Sequence, residues 1–203
     1  MSTIPGLNAT PGNTPLHPDD AAQLIPSLAT RRELDEWERQ NILQAQTWAF
    51  SPRVMGQRDP LDEIYVRELH RRMFDASWKW AGKYRTRNGI NLGCPFTEIQ
   101  QRIGGLLGNA RFWADNQTFP VDEIAVRFHH QIVGQIHAFP NGNGRHARLI
   151  ASVLAEKLGR PRFTWGRSTL VDPGPTRQAY LDALKATDEN EANIQQLVSF
   201  ARS

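Results

Sequence analysis

Cysteine is nearly absent from this sequence: Cys94 is the only one. A single thiol excludes an internal disulfide framework and fits a reducing cytoplasm. No apolar run approaches the length needed to span a bilayer, so no membrane role is expected. The stretch Met1 to Pro18 lacks a basic start and an apolar centre, so it does not read as a secretory signal. A Gly-x-x-x-x-Gly-Lys-Ser/Thr pattern is missing, which disfavours a P-loop ATPase. The formal net charge of +3 is too small to argue for nucleic acid by itself. No recognition helix with basic residues along it is evident either, so direct nucleic-acid binding is not expected. His129, His130, His137 and His146 lack a zinc-site spacing, and the first two point to different helix faces. What remains has 39% hydrophobic and 22% charged residues in 203, the balance of a soluble chain with one sizeable core.

Residues 1–29 open with Pro5, Pro11, Pro15 and Pro18 and with Gly6 and Gly12, which argues for an extended segment. Asp19 is placed to cap a short helix through Ile25. Thr30 and Glu33 then form a capping box at the head of a helix reaching about Phe50, where Pro52 stops it. Leu34, Trp37, Ile42, Ala45, Trp48 and Ala49 make its apolar stripe, and Glu38 and Asn41 fall inside that stripe. A carboxylate facing a core is costly unless something pairs with it. Asp59-Pro60 begins the next helix, with Leu61, Ile64, Tyr65, Leu69 and Met73 facing inward. Trp78 and Trp80 read as packing aromatics.

Residues 83–95 have a different texture. Asn88-Gly89 is a strong hairpin turn pair, with Ile90, Asn91 and Leu92 alternating beyond it. Thr97 and Gln100 then mark a helix through Ile99, Ile103, Leu106, Leu107, Ala110 and Trp113. Gly104, Gly105 and Gly108 on that helix suggest close approach of a neighbour. Further helices run from Pro120 and Asp122 towards His137, from about Asn143 to Gly159, from about Thr176, and through Ile194 to Ala201. The fold class is therefore all-α with one small β-hairpin.

The most informative stretch joins two of these helices and reads His137-Ala-Phe-Pro-Asn-Gly-Asn-Gly-Arg-His-Ala-Arg148. Pro140 breaks the first helix, and Gly142 and Gly144 permit backbone angles that other residues resist. A helix start offers unpaired N–H groups and a positive dipole end, both suited to an anion. Arg145 and Arg148, three apart, share a helix face beside that start. With His137 at the other lip, the loop is a cradle for a polyphosphate with a titratable base next to it.

This loop closely resembles the Fic family signature His-x-Phe-x-Asp/Glu-Gly-Asn-Gly-Arg-x-x-Arg, with Asn141 at the usual acidic position. The wider pattern is most similar to the subfamily called mobile mystery protein B. The resemblance implies a Fic-type domain over residues 30–203, a flap at 83–95 and a Fic loop at 137–148. It implies transfer of AMP from ATP to a Ser, Thr or Tyr hydroxyl of a protein. His137 would be the general base, with Arg145 and Asn143 also catalytic. Gly142, Asn143, Gly144, Arg145 and Arg148 would hold the phosphates, with help from the Asn143 side chain. Mg²⁺ or Mn²⁺ would sit at Asn141, weakly held because an amide carries no charge. Nucleotide binding without turnover, or transfer of another group, are the alternatives. The flap residues Tyr84, Arg85, Thr86, Gly89 and Ile90 would dock the target by strand addition; an ordinary surface hairpin is the other reading. Some Fic proteins carry an inhibitory helix whose glutamate pairs with the second motif arginine. The helix at residues 30–50 offers Glu38 at a plausible place, although Leu34 stands where that motif has Ser or Thr and Arg39 where it has Gly or Asn; Glu38 is either inhibitory or a structural partner of some arginine. A small helix-turn-helix partner is also implied by the subfamily.

Overall fold

The computed structural model describes residues 16–88, 93–166 and 173–203. Its helices are α1 (Pro18–Ala21), α2 (Arg31–Ala49), α3 (Pro52–Gln57), α4 (Glu63–Phe74), α5 (Ile99–Asp115), α6 (Val121–His130), α7 (Asn143–Lys157), α8 (Pro173–Glu189) and α9 (Ile194–Arg202). Among the described residues there is no sheet, and the only β-type pairing is the isolated bridge between Leu24 and Trp78. The all-α class is therefore correct. The hairpin is not seen: residues 83–88 have no regular structure beyond a bend at Thr86 and Arg87, and Gly89, Ile90, Asn91 and Leu92 lie outside the described residues.

α2 forms as its capping box dictates. The Thr30 hydroxyl accepts from Glu33 N, and the Glu33 carboxylate accepts from Thr30 N. Leu34, Ala45 and Ala49 bury its stripe against α4, with Glu38 and Asn41 buried among them. Trp37 departs from the stripe and is exposed, although its Nε1 donates to Ala76 O at 3.0 Å. α6 and α7 pack together at the centre, closed on one side by α9 and on another by α4. Val66, Leu69, Phe74, Ile103, Phe128, Ile150, Leu154 and Leu197 make up the shared core.

Several boundaries differ from the expected ones, each for a local reason. α1 is a single turn capped by His17, whose Nδ1 accepts from Asp19 N at 3.2 Å. It ends early because Ile25 N turns to donate to Ser77 O at 2.8 Å. α3 was not anticipated; six residues are too few to display a period. α4 starts at Glu63, because Asp62 rather than Asp59 accepts the first-turn N–H, from Ile64 at 2.9 Å. Ile64 itself faces solvent at 67% exposure. Thr97 does not cap α5, which grows out of a 3-10 turn at Phe96–Glu98 without a side-chain cap. Among the described residues, Gly104, Gly105 and Gly108 have nothing within 4 Å of where a Cβ would stand, so no described helix approaches them.

Candidate active site

α6 does not run straight into the loop. It widens into a π-helical turn, Gln131–Ile136, closed by His137 N donating to Ile132 O at 3.1 Å. Such turns recur at functional sites because the extra residue re-aims the chain beyond it. His137 comes next, in the left-handed region at φ 50°, ψ 59°, a conformation that costs a residue with a Cβ. Its Nδ1 lies 2.9 Å from Val133 O. A carbonyl can only accept, so Nδ1 carries the proton and Nε2 carries the lone pair. Burial, above all, holds this imidazole below its usual range; the Val133 bond opposes that and the Arg85 charge adds to it. A neutral ring with a basic Nε2 is the state a general base requires.

The loop is braced from within and from outside. The Asn143 amide closes on the backbone of Phe139, accepting from its N–H at 2.9 Å and donating to its carbonyl at 2.8 Å. The Asn143 side chain is thus committed to the loop, which leaves its backbone N–H as what it can offer a ligand. Phe139 is buried and stacks on His70 with ring centroids 3.6 Å apart. Gly82 N donates to His70 Nδ1 at 3.0 Å, so Nε2 bears the proton and donates to Asn141 O at 3.1 Å. His70 therefore anchors the loop at its far lip. A histidine within an amphipathic helix gave no signal of this in the sequence.

Gly142, at φ 78°, is the residue before α7, and a Cβ there would stand 2.5 Å from the Phe74 ring. Only glycine fits. A Cβ on Gly144 would meet nothing closer than 4.0 Å, so the side of the helix start stays open. The first helical bond of α7 is His146 N to Gly142 O at 2.9 Å. The N–H groups of Asn143, Gly144 and Arg145 precede it and have no helical acceptor. These are the N–H groups that a cradle for an anion would use.

Arg145 stands beside this start. Its Nη1 donates to Glu38 Oε2 at 2.5 Å, its Nη2 lies 3.5 Å from Asn141 Oδ1, and its guanidinium covers the Phe74 ring. Glu38 is 3% exposed and also accepts from Trp78 Nε1 at 2.6 Å. The family resemblance implied a pair with the second motif arginine; here the glutamate holds the first. Trp78 fixes the other carboxylate oxygen. Arg148, one turn on, lies over the Tyr180 ring at 5.0 Å. Both arginines open onto a cleft of about 1040 Å³ between α2, α7 and α8, also lined by Ser152, Trp165 and Tyr180. His137 is not on its wall.

No metal site is seen at Asn141 among the described residues. The Asn141 Oδ1 accepts from Gly142 N at 2.6 Å and faces Arg145. Among the described residues no three of His, Cys, Asp and Glu are grouped to hold a cation. A neutral amide oxygen already turned towards two donors is a poor ligand for a hard ion. His129, His130 and His146 serve elsewhere. His146 Nε2 donates to Val66 O at 2.9 Å, His129 Nε2 meets Tyr180 OH at 3.0 Å, and His130 meets Asp188 at 2.7 Å.

The residues assigned to target docking divide. Thr86 is exposed. Tyr84 is half-buried, its hydroxyl donating to Glu63 at 3.2 Å under Arg67. Arg85 is 6% exposed and turned inward, so its side chain cannot meet a target. Gly89 and Ile90 lie outside the described residues.

Residues 60–155 match the Fic/DOC family. Solved structures share the fold at low identity. BepC from Bartonella tribocorum, with AMPPNP bound, is 15% identical at a TM-score of 0.66, over 91% of this chain and 98% of that one. A Fic domain containing signaling protein from Bacteroides thetaiotaomicron is 19% identical at 0.63, over 87% and 69%. Fic-1 from C. elegans is 22% identical at 0.60, over 90% of this chain and 50% of that one. No curated protein matches the chain. The match thus places a Fic/DOC family domain at residues 60–155. These matches support neither the mobile mystery protein B subfamily nor a helix-turn-helix partner. No helix among the described residues is long and apolar enough to cross a membrane.

Proposed function

We propose that this domain transfers AMP from ATP to a hydroxyl of a protein, with His137 as the general base. The observation that carries the reading is the Val133 bond to His137 Nδ1, which leaves the lone pair on Nε2. The hydroxyl oxygen attacks the α-phosphorus, its proton passes to Nε2, and the bond to pyrophosphate breaks. The backbone N–H groups of Asn143, Gly144 and Arg145 face the phosphates, and Arg145 and Arg148 stabilise the departing charge. BepC, whose structure holds AMPPNP, and a Bartonella quintana Fic domain holding ADP support a nucleotide in this fold. Glu38 is the restraint in this reading: its carboxylate already occupies Arg145, so a phosphate must displace it.

Asn141 favours a second reading, nucleotide binding without turnover, because it supplies no charge for a bridging cation. One assay separates the two. Purified protein is incubated with α-labelled ATP, GTP, CTP or UTP and with Mg²⁺ or Mn²⁺. Label appearing on protein, and lost in His137→Ala, supports transfer. Nucleotide-dependent stabilisation without label, indifferent to that substitution, refutes it.

A further inference from the structure

Arg85 belongs to a segment expected to face a target, yet its side chain is buried against the loop. Its Nε donates to His137 O at 2.8 Å and one terminal nitrogen donates to Arg87 O at 2.9 Å. The other terminal nitrogen donates to Cys94 O and reaches Ile136 O at 3.3 Å. Its backbone joins in, Arg85 N donating to Ala138 O at 2.9 Å. One residue therefore binds the carbonyls on three consecutive loop positions, 136, 137 and 138.

Those positions are where α6 gives way and His137 takes up its left-handed bend. From the other side Gly93 lies flat on the same spot. A Cβ there would stand 2.5 Å from Ile136 O and 2.6 Å from His137 Cβ. A left-handed histidine persists only where its surroundings over-determine it. The guanidinium fork supplies that, because its donors are rigid and planar and a lysine cannot copy their directions.

We propose that Arg85 is a positioning residue: it clamps the carbonyls of Ile136 and His137 and so sets the bend that places the His137 ring on Val133. The inference rests on the general-base reading for its consequence in catalysis, and on geometry alone for its structural part. The cation beside the ring also disfavours imidazolium, in keeping with the depressed basicity of His137.

The test uses ¹⁵N-labelled full-length protein. In the wild type, His137 should show a neutral ring protonated at Nδ1, and the Arg85 guanidinium protons should exchange slowly. Rapid exchange of those protons overturns the clamp without any variant. In Arg85→Lys the His137 ring should lose its single tautomer while the core rings of His70 and His146 keep theirs. Transfer should then fall about 100-fold in kcat, the scale of a misplaced reacting group, with KM for nucleotide within about twofold. A folded Arg85→Lys with wild-type tautomer and wild-type kcat refutes the proposal. If Arg85→Lys does not fold, Gly93→Ala presses on the same carbonyl and takes its place, with the same two outcomes. If the wild type transfers no label, the reading of function fails, and the tautomer and exchange data still decide the role of Arg85.

Discussion

Glu38→Gln should tighten nucleotide binding. The substitution keeps the shape of the side chain, and a glutamine oxygen can still accept from Trp78 Nε1, now 2.6 Å from Oε1. What it removes is the charge on the oxygen 2.5 Å from Arg145. Hydrogen bonds to charged groups contribute about 1.5–3 kcal/mol net. A phosphate arriving at Arg145 must break that bond in the wild type and not in the variant. With tenfold for each 1.4 kcal/mol, affinity should rise roughly 10- to 150-fold. The same bond is lost from the free protein, so its stability should fall by a similar amount, about 1.5–3 kcal/mol. Glu38→Ala is the poorer probe, since it also strands the Trp78 N–H at a cost of about 1–3 kcal/mol. Isothermal titration calorimetry with AMPPNP on both proteins measures the difference. An affinity that is unchanged or weaker, in a variant that remains folded, would show that the glutamate does not compete for the phosphate site.

Gly142→Ala should lower the melting temperature by at least about 5 °C, since left-handed strain and overlap with Phe74 together cost roughly 2–5 kcal/mol; a drop under about 2 °C contradicts the packing described. Burial holds the His146 ring down to about 4, and puts His70 well below its usual range. Both rings stay neutral in the fold while the unfolded chain takes up protons below about pH 6.5, so stability should fall as pH drops from there, by up to ~1.4 kcal/mol per unit for each ring. Urea midpoints at pH 7 and 5 check this, and His146→Gln should flatten the slope; an equal slope in that variant removes His146 from the account. Asn141→Asp should make any transfer faster and newly dependent on divalent cation, measured with labelled ATP; a rate and metal dependence like those of the wild type would mean that the amide is not what limits the site.

The parts of this molecule that could be read from sequence are those fixed by neighbours in the chain. Thr30 and Glu33 cap α2 because both partners lie within one turn, and Gly142 precedes α7 because the angle there excludes a Cβ. The placement of Glu38 in a buried stripe was legible too, since it depends only on helical period. Its partner was not. Arg145 is 107 residues away, and Trp78, which turns the carboxylate, is 40 from Glu38. Arg85 misled for the same reason: an arginine before Asn-Gly looks exposed until the carbonyls of Ile136 and His137 are brought to it. The glycines of α5 misled in the opposite sense, looking like a contact where there is open space.

The loop turns most of its own polar groups on itself and its supports. Asn143 closes on Phe139, Asn141 accepts from Gly142 N, Asn141 O receives His70, and the carbonyls of 136–138 receive Arg85. A loop so satisfied holds its shape without ligand, which is what electrostatic preorganisation requires. The groups presented outward are the first N–H groups of α7 and the arginine face beside them, and all of these are positive. The carboxylate of Glu38 is the anion that answers them in this conformation, through Arg145. In the proposed reading, binding and restraint therefore meet at one guanidinium, because a phosphate arriving at Arg145 must displace the side chain that α2 supplies.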